Sequence, residues 1–429
     1  MAVLGRTIGK AAVLIVSWNG KTLLESCLSH LSQQLDPGCP WDIWVFDNGS
    51  KDGSQAWLKQ NYPQVQLIQN PINIGFAEGV NQLVRASDAD VSILLNNDAE
   101  PAHDWLCSLI NTYREAPRDV AAVGGLALNH DGTRIDFMSG SLAFDGHAFQ
   151  NGTGDAYPSQ NLPEKGTELL FANGANMLIQ TSVFQAVGGF DKEFFAYYED
   201  VDLGWRLWAQ GHRIIFDPRA VIKHRSKATS QRLGMFARGA LYERNAFLNA
   251  YKNFDQPFWS ALMPAITLTL LHRSQTLLET RNSGGRILKR FPLEPLPENA
   301  PLWDRIRHWC VGEIRQGQWL GAGSIRRVLG FLEQKTPYFF AKMHLNDPWT
   351  LAQYQAIHSL FHLLDTYANR RQQTQSKRVR SDEEIFTKFP LIIKATNPGD
   401  ETFFNSSAFE STIPSGVAWL QRKRAARGE

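Results

Sequence analysis

The chain has 429 residues, 43% hydrophobic and 11% aromatic, which excludes a disordered or fibrous protein and, at about 150 residues per domain, gives two or three domains. Lys and Arg number 44 against 42 Asp and Glu, so the net charge of +2 is too balanced for a nucleic-acid partner; any polyanion must be met locally. The four cysteines, Cys27, Cys39, Cys107 and Cys310, lack C-x-x-C spacing, which argues against structural zinc or a disulfide framework and for a reducing cytosol.

In chain order, Ala11 to Ser17 reads as a strand running straight into a polar Trp-Asn-Gly turn, with no secretion signal before it. Further β-branched runs follow at Ile43 to Phe46, Val65 to Ile68, Val91 to Leu95 and Val120 to Val123. Between them, Leu23, Leu24, Cys27, Leu28 and Leu31 share one helix face, and Gly79 to Ala86 continues another. This rhythm predicts an α/β fold with a mainly parallel sheet. Polar residues cluster at the carboxyl ends of the strands, where open α/β sheets bind ligands: Ser17-Trp18-Asn19, Asp47-Asn48-Gly49-Ser50 and Asn96-Asn97-Asp98.

From Asp131 to Gly166 the chain turns rich in Gly, Ser, Asn and Asp, predicting long loops or irregular strands that flap over the acceptor side. A strand is expected at Asn176 to Gln180, a short helix from Ser182 to Gly188-Gly189, and a helix over Phe194 to Gln210 closed by Gly211. Short strands follow at Ile214 to Phe216 and Ala220 to Ile222. Past residue 255 the pattern becomes helical, including Leu302 to Trp309 and Leu351 to Tyr367, so the chain divides into residues 1–255 and 256–429. Arg370 to Arg380 reads as a solvated basic linker. The uncharged run Gln256 to Leu271 is shorter than the roughly 20 residues needed to span a bilayer. With Arg273, Arg281, Arg286, Lys289 and Arg290 beside it, it fits either a helix resting on an anionic membrane or an ordinary helical core.

Five strings carry chemistry. Asp47 precedes Asn-Gly-Ser-Lys-Asp-Gly-Ser, whose Gly49 and Gly53 let a ligand approach the backbone; its carboxylate suits a nucleobase or ribose, or caps the next helix. Asn73, Gly75, Glu78 and Asn81 surround a helix start that favours phosphate or a sugar edge, while G-x-G-x-x-G and the P-loop are absent. Asp98 ends the most hydrophobic strand, where a rigidly placed carboxylate can hold a divalent cation, or simply ends the strand in a turn. Glu199, Asp200 and Asp202 crowd three carboxylates at a helix start, which raises at least one pKa and offers a general base, or decorates the dipole. His224, among Lys223, Arg225, Lys227 and Arg232, suits a second metal ligand or a structural histidine.

Together V-S-W-N-G (16–20), D-N-G-S-x-D-G-S (47–54), N-x-G-F-A-x-G-x-N (73–81), L-L-N-N-D (94–98), G-G-F-D (188–191) and Y-E-D-V-D-L-G-W-R (198–206) resemble a family 2 glycosyltransferase of GT-A fold. The resemblance covers about residues 10 to 252 and extends to rhamnosyltransferase-like and galactofuranosyltransferase-like members, which share the late histidine and an Arg-Asn pair, here Arg244-Asn245. It implies an inverting enzyme that uses Mg²⁺ or Mn²⁺ and moves rhamnose or a hexose from a dTDP- or UDP-sugar to a glycan or lipid-linked glycan. Asp47 would recognise the nucleobase, Asp98 and His224 would bind the metal, and Asp200 would be the base. Glu199 and Asp202 would shape the acceptor site, with Ser17, Asn19, Asn48, Gly49, Asn97, Trp205 and Arg206 completing the substrate contacts. The first position of the usual D-x-D motif is Asn96, one formal charge fewer. The expected place is cytoplasmic, peripheral to the inner membrane face. A sugar nucleotidyltransferase and a catalytically silent glycan-binding protein of the same fold are the rival readings.

Overall fold

The computed structural model describes residues 5–225, 233–281, 347–397 and 399–422. The helix expected at Leu302 to Trp309, the thiol of Cys310, and the side chains of Lys227, Arg232, Arg281, Arg286, Lys289 and Arg290 lie outside the described residues.

Eleven strands build the first part: β1 (Ala11–Ser17), β2 (Trp41–Asn48), β3 (Gln66–Asn70), β4 (Val91–Leu95), β5 (Ala99–Pro101), β6 (Val120–Asn129), β7 (Ile135–Phe137), β8 (Ser139–Leu142), β9 (Ala148–Asn151), β10 (Asn176–Gln180) and β11 (Arg213–His224). The main sheet runs β3-β2-β1-β4-β10-β6-β11-β5, with β7 beside β6 and β8–β9 as a separate hairpin. β1 to β4 are parallel. β10 enters antiparallel between β4 and β6, and β5 antiparallel beside β11. The expected α/β sheet is therefore present, parallel in its first half and mixed in its second. β1 and β4 are almost wholly buried, as strands covered on both faces should be.

Helices cover the sheet: α1 (Lys21–Leu31), α2 (Ser54–Asn61), α3 (Phe76–Ser87), α4 (Trp105–Glu115), α5 (Thr181–Ala186) and α6 (Glu199–Ala209). α3 buries Ala77, Val80, Leu83 and Val84 at helical spacing. Gly79 lets it sit close to β1 and β2, since a Cβ there would stand 3.0 Å from the Val16 side chain and 3.1 Å from Phe46.

Two expectations shift in detail. The strands expected at Ile214 to Phe216 and Ala220 to Ile222 are one strand, β11, whose register on β6 jumps between Asp217 and Val221. The helix expected from Phe194 begins only at Glu199. Lys192–Phe194 form a single 3-10 turn, and Phe195, Tyr197 and Tyr198 then take φ of 62°, 70° and 69°. Helical φ is impossible there, and the turn aims the following carboxylates inward.

Among the described residues the remaining helices are α7 (Gly234–Asn253), α8 (Gln256–Arg281), α9 (Pro348–Ser376), α10 (Asp382–Lys388), α11 (Asp400–Phe404) and α12 (Ser407–Glu410), with the short parallel pair β12 (Leu391–Ile393) and β13 (Leu420–Arg422). In α8, Phe258, Leu262, Ala265, Ile266 and Thr269 are buried at helical spacing, so its apolar side serves the protein core. Arg273 is 3% exposed and paired with Asp145 at 2.9 Å and Asp400 at 2.9 Å. It is thus not available to an anionic bilayer, because its guanidinium is already neutralised inside the fold. No helix among the described residues is long and apolar enough to cross a membrane.

The stretch 370–380 is the largest correction. It is not a solvated linker but a clasp made of the end of α9 and the turn after it. Arg370 pairs with Asp191, Arg371 donates to Phe254 O (2.6 Å), Arg378 pairs with Asp382 (2.9 Å) and Arg380 donates to Gly211 O (2.8 Å). The guanidinium fork cross-links carbonyls and carboxylates of the first part in a way a lysine cannot.

Candidate active site

The carboxyl ends of β1, β4 and β11, the hairpin β8–β9 and the start of α6 enclose a cavity of about 600 Å³. Asp98, Glu199, Asp200 and His224 all line it, with Trp18, Asn48, Asn73, Gly75 and Asn97 on the β1–β4 side.

Asp98 and His224 meet because the sheet edge brings their backbones together. His224 is in register with Ala99 across β5 and β11, and Arg225 N donates to Asp98 O at 3.0 Å. Asp98 Oδ1 lies 3.1 Å from His224 Nε2, and Asp136 Oδ2 lies 2.9 Å from His224 Nδ1. Asn96 Nδ2 approaches the same Nε2 at 3.3 Å. Burial opposes charge on the ring, but the hydrogen bonds from Asp136 and Asp98 prevail and hold its pKa up at about 10. Of the expected basic cluster, Arg225 pairs with Glu100 at 3.2 Å.

On the opposite side, Asp200 accepts from Gly174 N at 3.1 Å and from Val201 N at 2.8 Å. Burial raises its pKa, against those two hydrogen bonds. Glu199 is 7% exposed and its Oε2 has no hydrogen-bond partner. Burial, then the charge of Asp200, push its carboxyl up to about 8. Glu199, with its pKa near 8, is held protonated at neutral pH beside the Asp200 carboxyl. Such a pair provides one proton acceptor and one proton donor side by side.

The other sequence-derived residues divide into those that shape the cavity and those that do not reach it. Asn97 donates to Ser17 Oγ at 3.0 Å, tying β4 to β1. Asn19 Oδ1 accepts from Lys51 N at 2.7 Å, joining the loops after β1 and β2. Asn48 braces the next loop, donating to Gly75 O at 3.0 Å and accepting from Ile74 N at 2.8 Å, while Asn73 Oδ1 accepts from Gly75 N at 2.9 Å. Gly49 (φ 79°) packs against Ile72, where a Cβ would fall 2.7 Å from its carbonyl carbon. Asp47 is 1% exposed and outside the cavity lining; its carboxylate accepts from Ser50 N, Ser54 Oγ and Gln55 Nε2, tying the loop after β2 to side chains of α2 without capping a helix N–H.

Glu78, Asn81, Asp202, Trp205 and Arg206 also lie away from this cavity. Asn81 brackets Phe190, accepting from its N–H at 2.9 Å and donating to its carbonyl at 2.8 Å. Glu78 is held by Arg85 at 2.8 Å. Asp202 is fully buried between Arg206 (2.7 Å) and Lys252 (2.7 Å). Arg206 also donates to Val187 O and Gly189 O, and Trp205 Nε1 donates to Asp382 at 2.9 Å. On α6, Asp202, Trp205 and Arg206 lie off the face that carries Asp200, and their contacts are with the fold.

Asp136, Gly174 and Tyr242 line the cavity without having been singled out in the sequence. Asp136 alone left a trace there, as a lone charge between Ile135 and Phe137, both 1% exposed.

The model of "Glycosyl transferase family 2" matches residues 12–188. These residues form a family 2 glycosyltransferase domain. The glycosyltransferase is 29% identical over 240 residues to an N-acetylglucosaminyl-diphospho-decaprenol L-rhamnosyltransferase of Mycobacterium tuberculosis, covering 51% of this chain and 77% of the relative. Among solved structures, the chain matches GalNAc-T7 with UDP, GalNAc and Mn²⁺ at TM-score 0.48 and 14% identity, over 63% of this chain and 52% of that one. It matches the mannosyltransferase PcManGT from Pyrobaculum calidifontis, in complex with GDP-Man and Mn²⁺, at TM-score 0.43 and 16% identity, over 84% and 88%. The chain thus spans about half the length of the first structure. The glycosyltransferase is rhamnosyltransferase-like in sequence.

Proposed function

We propose that this glycosyltransferase moves a sugar, rhamnose or a hexose, from a dTDP- or UDP-sugar to a hydroxyl of a glycan or lipid-linked glycan, with inversion at the anomeric carbon. The observation that carries the reading is that the Asp200 carboxylate and the Asp98–His224 pair face one cavity of about 600 Å³. The relative's printed name, with its diphospho-decaprenol acceptor, supports rhamnose and a lipid-linked substrate, which brings the enzyme to a membrane surface.

The donor set fits a divalent cation. One carboxylate oxygen and one imidazole nitrogen lie 3.1 Å apart on the same wall, matching the habit of Mg²⁺ and Mn²⁺ sites that take few protein ligands and finish with substrate phosphate oxygens. Asp98 and His224 would hold it, and when bound it supplies neutralising charge for the departing diphosphate. The β1–β4 side of the cavity takes the nucleotide. Asn48 and Asn97 keep its loops in place rather than reading the base.

Asp200 accepts the proton of the acceptor hydroxyl as that oxygen attacks the anomeric carbon from the face opposite the nucleotide; such assistance is worth about 10²–10⁴-fold. Its two backbone hydrogen bonds fix the carboxylate without consuming all of its lone pairs. Glu199, protonated beside it, donates to a sugar oxygen and orients the acceptor.

Thermal-shift titration with UDP, dTDP and GDP, each with and without Mn²⁺, tests the donor class, since a ligand selective for the folded state raises its apparent stability. Stabilisation by dTDP or UDP that increases with Mn²⁺ is expected, followed by nucleotide release from the matching sugar donor. Failure of every nucleotide to stabilise the protein sinks the reading.

A further inference from the structure

We infer that Asp136 is a positioning residue of the cation site, whose carboxylate holds the Nδ1–H of His224 and so keeps Nε2 directed at Asp98, as the nitrogen that would give up its proton to ligate a cation. The inference rests on the cation reading above and goes beyond it, because neither the motifs nor the family match assign Asp136 any role.

Its placement is dictated by the sheet. β7 pairs with β6 through Ile135↔Leu128 and Phe137↔Ala127, and β11 pairs with the other edge of β6 as far as His224↔Asn129. Asp136 and His224 therefore stand on strands flanking the same end of β6, although 88 residues separate them in sequence. Ile135 and Phe137 are each 1% exposed, and Asp136, between them at the register shift of β7 on β6, lines the cavity. A strand anchored by two buried apolar neighbours cannot swing this carboxylate away.

The two ring nitrogens then have separate tasks. With Nδ1 held at 2.9 Å by a carboxylate, the ring orientation and tautomer are set, and Nε2 is left facing Asp98 at 3.1 Å. A carboxylate behind a ligating imidazole also raises its donor strength, and loss of such a partner typically costs about 10–100-fold in metal affinity. The need is specific here, because the amide of Asn96 also reaches Nε2 at 3.3 Å.

The test uses the full chain. Mn²⁺ binding is measured by calorimetry, without sugar donor, for the wild type, Asp136→Ala, Asp136→Asn and His224→Ala, and histidine-selective ¹⁵N labelling reports the tautomer of His224. Asp136→Ala should weaken Mn²⁺ binding by about 10–100-fold and mix the two tautomers. Asp136→Asn, which keeps an acceptor oxygen, should retain the tautomer and lose a few-fold in affinity. Should Asp136→Ala unfold, as its melting temperature will show, Asp136→Asn decides alone. Wild-type Mn²⁺ affinity in the Asp136 variants, with His224→Ala impaired, overturns this inference and leaves the cation site standing. Unchanged Mn²⁺ affinity in His224→Ala overturns the cation site and this inference with it.

Discussion

Asp98 and His224 lie 3.1 Å apart across 126 residues of sequence, and the contact is made by backbone as much as by side chain. The short strand β5 begins at the residue after Asp98 and pairs antiparallel with the end of β11, so His224 cannot be elsewhere while that ladder is intact. The sheet edge thus builds the pair before any ligand arrives.

Asp200→Asn removes the proton acceptor and, because Gly174 N donates to one carboxylate oxygen and Val201 N to the other, keeps one of the two backbone hydrogen bonds. Turnover should fall at least about a hundredfold while donor affinity stays within a factor of two. Steady-state kinetics with donor and acceptor varied separately give the answer. Surviving turnover would move the base to another group.

The pH dependence of stability should carry the mark of Glu199. Its folded pKa of about 8 lies above the ordinary 4.5 of the unfolded chain, so the native state binds this proton more tightly. The contribution to stability is complete below about pH 4.5 and is lost as pH rises through about 8. Glu199→Gln, neutral throughout, should gain in melting temperature relative to wild type between pH 5.5 and pH 8.5. Parallel wild-type and variant curves over that window would refute the assignment.

Gly75→Ala should damage both fold and site. Gly75 has φ 90° and ψ 165°, a backbone region essentially reserved for glycine and costing other residues about 1–3 kcal/mol. The added methyl would also fall 2.5 Å from Phe195 O in the turn leading to Glu199. Chemical denaturation should show a loss of at least about 1 kcal/mol, with activity falling further than stability.

Trp205→Phe should separate stability from chemistry. The indole donates to buried Asp382 and stacks edge-on against Phe254 and Phe386. Its loss leaves Asp382 short of a donor, costing about 1–3 kcal/mol, while KM for the donor should be unchanged because Trp205 does not line the cavity. A raised donor KM at full stability would return Trp205 to the substrate site.

The sequence is most informative where a residue's task is set by its own element. β1 to β4 announce themselves by apolar runs, and Asp98 and Asp200 by the rigid elements that carry them. Roles that depend on partners distant in sequence are hidden. Asp202 and Arg206 share a motif with Asp200, yet helical periodicity turns them to the opposite face, toward Lys252 and Val187. Asp136 is a lone charge whose meaning comes only from a histidine 88 positions on. The arginines of 370–380 look solvated because composition records their charge but not the carbonyl groups they embrace.

That embrace bears on how the polypeptide matures. During synthesis α6 emerges well before the segment that completes its rear surface, and Trp205 waits 177 residues for the carboxylate it bonds. Until then a ribosome-bound intermediate exposes the indole edge, and Asp191 has Lys252 but not Arg370 beside it. A chain lacking the residues from Arg370 onward would leave that rear surface uncovered.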